Sequence, residues 1–203
     1  TTVLGHRSLL VTALEILDQP LPATYGLPAP EPLEFCRELK SENLRFRYTE
    51  HGPWVIDGVD LTIAKGMRVG MVGTTGCGKS TLLDLLMGLL TPVEGAVLVD
   101  EHVLEGNRLR AWQRSIAHVP QHIFLADASL TENIAFGVPV EDVSMERVRE
   151  AASRAMIAEF IDKEPAGFAT MVGERGIRLS GGQRQRIGIA RALYKRASVL
   201  VFD

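Results

Sequence analysis

From about residue 41 the chain alternates apolar and polar positions. Leu44, Phe46 and Tyr48 fall on one face with Arg45 and Arg47 on the other, and Val59, Leu61 and Ile63 repeat the period shortly afterwards. A period of two belongs to strands with one buried and one wet face, so both stretches are expected as antiparallel-type strands. MRVGMVG, residues 67 to 73, reads as a strand leading into a glycine loop and then a helix through about residue 90. Residues 95 to 100 and 115 to 119 read as further strands. The closing ASVLVFD carries Val199, Leu200, Val201 and Phe202 without interruption into Asp203. That is the pattern of a buried parallel strand with an acid at its carboxyl tip, and in open α/β sheets ligands bind just beyond such tips.

Between about 122 and 178 the strand signal fades. A helix is expected over 145 to 160, where Met145, Val148, Ala152, Ala155 and Phe160 recur every three or four residues. Near the start, Leu10, Leu14 and Leu17 in residues 8 to 18 make one short amphipathic helix with no core of its own. Five of the ten prolines then fall between Pro20 and Pro32, a density that prevents helix and sheet and gives an extended, semi-rigid spacer. The expected organisation is a connector over 1–33 and one α/β domain over 34–203, with a helical insertion at about 122–178.

Composition narrows this only a little. A chain of 203 residues, 46% hydrophobic and 23% charged, builds one sizeable domain. The 22 basic against 25 acidic residues give a net charge of −3, so nothing global favours nucleic acid or an anionic membrane as partner. The longest apolar run, residues 82 to 90, contains Asp84 and is far short of the ~20 residues that cross a bilayer. Cys36 and Cys77 offer neither a disulfide framework nor a CxxC pair, which suits a reducing cytoplasm. A first residue that is Thr and a last that is a strand-end Asp both read as cuts through a longer protein.

GTTGCGKST, residues 73 to 81, fits G-x-x-x-x-G-K-[ST] between an expected strand and helix. Gly73, Gly76 and Gly78 allow a tight turn whose N–H groups face a concavity suited to phosphate oxygens, with Thr74, Thr75 and Cys77 between them and the helix N-terminus behind. Lys79 would reach the β and γ phosphates, Ser80 would ligate Mg²⁺, and Thr81 completes the motif. The bland alternative is a glycine-rich structural turn. Cys77 reads first as a small loop filler, although a helix start favours reactivity toward thiol reagents.

LSGGQRQRIGIARAL, residues 179 to 193, supplies a second small loop, Ser180, Gly181 and Gly182, before a helix whose inner face holds Ile187, Ala190 and Leu193. Taken with the phosphate loop, the VPQ at 119 to 121 and Asp203, residues 44 to 203 resemble the nucleotide-binding domain of ATP-binding cassette proteins. The resemblance implies a P-loop NTPase (RecA-like) core with an antiparallel β subdomain and a helical subdomain, binding ATP and Mg²⁺. It implies that Ser180, Gly182 and Gln183 act in trans on ATP held by the loop of a second nucleotide-binding domain, in a homodimer or heterodimer. It also implies that Tyr48 stacks on adenine, though on pattern alone that ring serves equally as a cross-strand core residue. Gln121 would approach the metal and the attacking water, where the bland reading is a loop cap, and Asp203 would hold Mg²⁺ through water. In the family a glutamate that polarises the attacking water and, later, a histidine follow the strand-end acid. Both fall beyond Asp203, so the chain is expected to keep the nucleotide cradle and lack the chemistry.

Two further patterns are read as non-functional. His118 and His122 stand four apart, but Pro120 between them breaks any helix that would align them on a metal. The basic run Arg184, Arg186, Arg191, Lys195 and Arg196 reads as the solvated outer face of a helix. TENIAFG (131 to 137) and TMVGERG (170 to 176) are similar to segments of exporter-type cassettes, the latter touching coupling helices of a transmembrane domain. The resemblance thus implies an ATPase domain at the cytoplasmic face of the cell membrane. An importer ATPase and a soluble cassette protein are the alternatives.

Overall fold

A computed structural model describes residues 26–173, 176–177 and 179–203, together with residues 11, 14 and 18. Most of the expected helix at 8 to 18 and of the connector at 1–33 therefore lies outside the described residues, as do Glu174 and Arg175 of the 170 to 176 segment. Val11 and Leu14 are helical, and the Asp18 N–H donates to Leu14 O at 2.8 Å.

The period-two pattern becomes β1 (Glu38–Phe46) and β2 (Ile56–Ala64), paired antiparallel. Leu44 and Phe46 are buried, and Tyr48 falls just beyond the strand, exposed. The helix α1 (Lys79–Leu86) is followed by β3 (Glu94–Val99) and β4 (His102–Val103), giving a sheet of order β2-β1-β3-β4. Its register shifts between Glu42 and Arg45 bring β1 so close to β3 that a Cβ on Gly95 would stand 2.3 Å from both Glu42 O and Asn43 O. No larger residue fits there.

The helix α2 (Gly106–Ser115) runs straight into β5 (Ile116–Val119), which pairs in parallel with β6 (Val199–Phe202). The expected strand at 67 to 73 does not form. A cavity of about 790 Å³, lined by Met67, Val69 and Met71 on one side and Val199, Val201 and Phe202 on the other, separates the segment from β6. It therefore has no ladder partner, and Val72 is 99% exposed.

Between residues 122 and 173 the main elements are helices: α3 (Leu130–Ile134) and α4 (Met145–Arg154) pack against the long α6 (Gly181–Lys195), and α5 (Ala158–Lys163) packs against α4. The single helix expected over 145 to 160 is broken in two. Met156 adopts a left-handed φ of 58° and is 72% exposed, while Ile157 turns fully inward. The Ile157 N–H donates to Ala152 O and that of Met156 to Ser153 O, closing α4 with a Schellman turn. Gly88, at φ 72°, ends α1 in the same way, four residues before the expected boundary at about residue 90.

Two main cores result. Leu44, Phe46, Leu85, Val99 and Trp112 fill the one under the antiparallel sheet, and Leu130, Ile134, Val148, Ile161 and Ile187 fill the helical one. A small cluster of Ala117, Val119 and Ala192 packs β5 on α6. No described helix is long and apolar enough to cross a membrane.

Candidate functional site

The glycine loop is shaped by residues that only glycine satisfies. Gly78 caps α1 at φ 93°, and a Cβ there would meet Val55 O at 3.0 Å and Ile56 Cδ1 at 3.1 Å. The α1 N-terminus receives no side-chain cap from Gly78, which leaves its first N–H groups for another acceptor. Lys79 folds back along the loop, its Nζ donating to Gly73 O and Thr74 O at 2.9 Å each and lying 3.6 Å from Cys77 Sγ. A cation thus stands where an anion would be cradled, held by carbonyls that do not neutralise its charge.

Two distant parts of the chain converge on α1. The Ser80 hydroxyl donates to Asp203 Oδ1 at 3.1 Å, placing the tip of β6 against the first turn of the helix. Tyr48 OH and Thr81 Oγ1 share a hydrogen bond of 3.0 Å, and the Tyr48 ring stands edge-on to Phe46 at 5.0 Å while remaining 64% exposed. Tyr48 is therefore not a buried core ring, and its exposed surface is available for stacking beside the loop. Val119 O accepts the Asp203 N–H at 3.1 Å, so Gln121, exposed two residues after β5, belongs to the same strand ends. It makes no hydrogen bond to the loop among the described residues.

The second small loop is not joined to the first by any described hydrogen bond. Ser180 and Gln183 instead form a reciprocal capping box on α6: Ser180 Oγ accepts the Gln183 N–H at 3.2 Å, and Gln183 Oε1 accepts the Ser180 N–H at 2.7 Å. Gly181 and Gly182 are exposed at the helix start.

Of the basic run on α6, Arg186, Lys195 and Arg196 are exposed, as a solvated face requires, while Arg184 and Arg191 are half-buried. Arg191 donates to Asn133 O at 3.0 Å and Phe124 O at 3.1 Å and stacks on Phe136, and burial lowers its pKa. Lys195 donates to Gln113 O and Ile116 O, its pKa lowered by burial and then by Arg114. Arg184 binds Leu179 O and Arg186 binds Met156 O. These cations tie α6 to carbonyls of α2, α3, β5 and the neighbouring loops. His118 and His122 join no group of three or more metal-binding side chains among the described residues.

Sequence reasoning passed over Asp100. It sits with Glu101 in a hairpin turn at φ 50° and 70°, where its carboxylate accepts the N–H groups of Cys36, Arg37 and Glu38 at 2.7 to 2.9 Å. Desolvation pushes its pKa up, but those backbone hydrogen bonds, with Arg108 beyond them, hold it below the ordinary value. The available signal was an acidic pair between two short apolar runs.

Comparison with known proteins bears on the whole arrangement. The family described as "ABC transporter" matches residues 56–203. The "ATP-dependent lipid A-core flippase" of Chromohalobacter salexigens is 39% identical over 188 residues, covering 93% of this chain and 32% of that protein. The "Leukotoxin translocation ATP-binding protein LktB" of Mannheimia glucosida is 45% identical over 173 residues, covering 84% of this chain and 24% of that protein. A solved "bacterial Atm1-family ABC exporter with ATP bound" superimposes with a TM-score of 0.82 at 33% identity, over 98% of this chain and 34% of that one. The chain spans about a third or less of the length of these relatives.

Proposed function

Because the chain belongs to the ABC transporter family, we propose that it is the nucleotide-binding domain of an exporter, binding and hydrolysing ATP to drive cargo across a membrane. The observation that carries the ATP site is the convergence of Ser80 and Asp203 at the mouth of the glycine loop. The exporter reading is supported by what the relatives are called, a flippase, a toxin translocator and an exporter.

In this reading the N–H groups of residues 73 to 78 and the start of α1 cradle phosphate. Lys79 exchanges its loop carbonyls for phosphate oxygens, and Tyr48 stacks on adenine. A hydroxyl and a carboxylate 3.1 Å apart are hard oxygen donors, too few for a cage but suited to Mg²⁺, which takes its remaining ligands from substrate phosphates and water. Ser80 and Asp203 would hold that cation, with Gln121 from the end of β5, and it would neutralise charge on the β and γ phosphates. Among Tyr48, Lys79, Ser80 and Asp203 the only carboxylate is Asp203, which is engaged with Ser80. This set supports binding; turnover needs a further group to activate water.

The capping box on Ser180 and Gln183 leaves Gly181 and Gly182 to offer N–H groups to a nucleotide on a second nucleotide-binding domain, as a homodimer or heterodimer. Residues 1–33 would be the connector from a transmembrane domain, 34–203 the nucleotide-binding domain and about 122–178 its helical subdomain. Exposed Phe124 and Phe136, both held at Arg191, support docking of that domain's coupling helices. The domain would then lie at the cytoplasmic face of the membrane.

Titration of a fluorescent ATP analogue with Mg²⁺ against the chain and its Lys79→Ala variant tests the site. Loss of a charged hydrogen bond should weaken binding by about 1.5–3 kcal/mol, roughly 10- to 150-fold. Equal affinities would overturn the assignment of Lys79. The exporter reading is tested in the gene on the amino-terminal side of residue 1, which should encode apolar stretches of about 20 residues; a polar leader there would overturn it.

A further inference from the structure

The proline-rich stretch ahead of β1 is fastened to the domain along its described length. Arg110 Nη2 donates to Leu27 O at 3.1 Å and Pro28 O at 3.2 Å, and Arg114 Nη1 donates to Pro30 O at 2.8 Å. Leu33 is bonded to the same helix twice, its N–H to Ala111 O at 3.0 Å and its carbonyl to Ser115 Oγ at 2.7 Å. Phe35 is buried edge-on against Trp112 at 5.8 Å. The Cys36, Arg37 and Glu38 N–H groups then enter the Asp100 carboxylate, and Arg37 pairs with Glu101 at 3.0 Å. Prolines suit such a strap because they stay extended and leave their carbonyls outside any ladder. Asp100 and Glu101 hold left-handed backbone that side chains with a Cβ resist, so the receiving turn is strained in the geometry that catches the strap.

The other side of α2 holds the phosphate-loop helix. By the helical period Trp112 faces away from Arg110 and Arg114, and Gln113 stands between Arg110 and that far side. Trp112 Nε1 donates to Leu86 O at 2.9 Å in a fully buried contact, and Gln113 Nε2 donates to Gly88 O at 2.8 Å. α2 also continues without a loop into β5, whose last residue receives the Asp203 N–H. One helix thus grips both the connector and the end of α1, with Trp112 touching each, and leads on to Gln121.

We propose that residues 27–38 are a coupling strap, whose docking on α2 and the 100–101 turn sets the placement of α1 and of the strand ends around Asp203. A displacement of the strap is then passed to the phosphate loop through α2. Only the resulting change in nucleotide affinity rests on the function proposed above; the link from strap to α1 is independent of what the loop binds.

The test is hydrogen exchange on the whole 203-residue chain, wild type against Arg110→Ala/Arg114→Ala, first without nucleotide. Both side chains lie at the surface or half-buried, and Arg110→Gln is the milder variant to read at the same peptides should the double variant lose its fold. The Leu33 amide should exchange at least about tenfold faster, and peptides over 79–90 should follow. With MgATP, affinity should fall roughly two- to thirtyfold in the variant. Reciprocity then requires MgATP to slow exchange over 27–38 in the wild type. A variant whose strap loosens while 79–90 and nucleotide affinity stay unchanged overturns the coupling, and one whose Leu33 amide stays protected overturns the clamp. Failure of the wild type to bind MgATP would count against the proposed function and leave the exchange result to decide the strap.

Discussion

Ser80 Oγ and Asp203 Oδ1 stand 3.1 Å apart although 123 positions separate the residues, so the tip of β6 meets the first turn of α1. If this pair holds Mg²⁺, removing the Asp203 charge should matter only when the cation is present. Asp203→Asn keeps the shape of the side chain. Its affinity for ATP with Mg²⁺ should fall about tenfold, the effect of losing one charge-assisted contact, while affinity in EDTA should not change. Titration of a fluorescent analogue in the two buffers decides it. An equal loss in both would mean that Asp203 shapes the loop and leaves the cation to other groups.

Gly78 joins the loop to α1 in left-handed backbone at φ 93°, with Val55 O 3.0 Å from where a Cβ would be. Gly78→Ala should therefore cost about 1–2 kcal/mol from backbone conformation alone. Since the carbonyl cannot give way as a flexible side chain would, the loop should shift and nucleotide binding should fall with it. Thermal melts paired with the ATP titration would show both losses. A variant that melts and binds as the wild type does would mean that the loop has a second conformation of equal energy.

What the sequence made legible here was local chemistry. The period-two stretches form the strands expected of them, and each glycine motif opens the helix expected after it, because spacing reports directly on which face is buried and where a helix can start. The strand at 67 to 73 was misjudged because strandness needs a partner, and an apolar run says nothing of whether one lies within 5 Å. The break at Met156 was invisible because methionine seldom takes a left-handed φ; burial of Ile157 outweighs that preference, and burial is a tertiary fact. Arg191 departs from the expected solvated face for the same reason, since helical spacing places it on a face without revealing that the carbonyls of Phe124 and Asn133 line it.

Asp100 gives the molecule an acid-sensitive fastening. Its folded-state pKa is held below the ordinary Asp value, so the contribution is fully present above about pH 4 and is lost as pH falls through the folded value. Asn tolerates the same left-handed backbone but carries no charge to share among three N–H groups. Asp100→Asn should cost about 1 kcal/mol near neutrality, a modest figure because the site is only half-buried. Urea melts of both proteins across pH should show a constant gap above pH ~5 that narrows in acid. A gap that widens in acid would mean the carboxylate is better off in the unfolded chain.

Cys77 should report whether the loop is filled. Both cysteines are free and exposed. The Cys77 thiol lies inside the loop, 3.6 Å from Lys79 Nζ and so close to Gly73 that a Cβ there would stand 2.6 Å from the sulfur. A small maleimide should reach it when the loop is empty, and phosphates drawn in by Lys79 should cover it. Cys36 lies on the strap, and its pKa is raised by desolvation and then by Glu34 and Asp100. That keeps its thiolate fraction low and its labelling slow, and no phosphate group should alter it. Labelling followed by peptide mass analysis, with and without MgATP and in Lys79→Ala, should therefore show strong protection of Cys77 in wild type only and a slow rate at Cys36 throughout. Equally strong protection of both cysteines would mean that phosphate does not cover Cys77 selectively. Equal labelling of Cys77 in all three conditions would confine the phosphate site to backbone N–H groups away from the thiol.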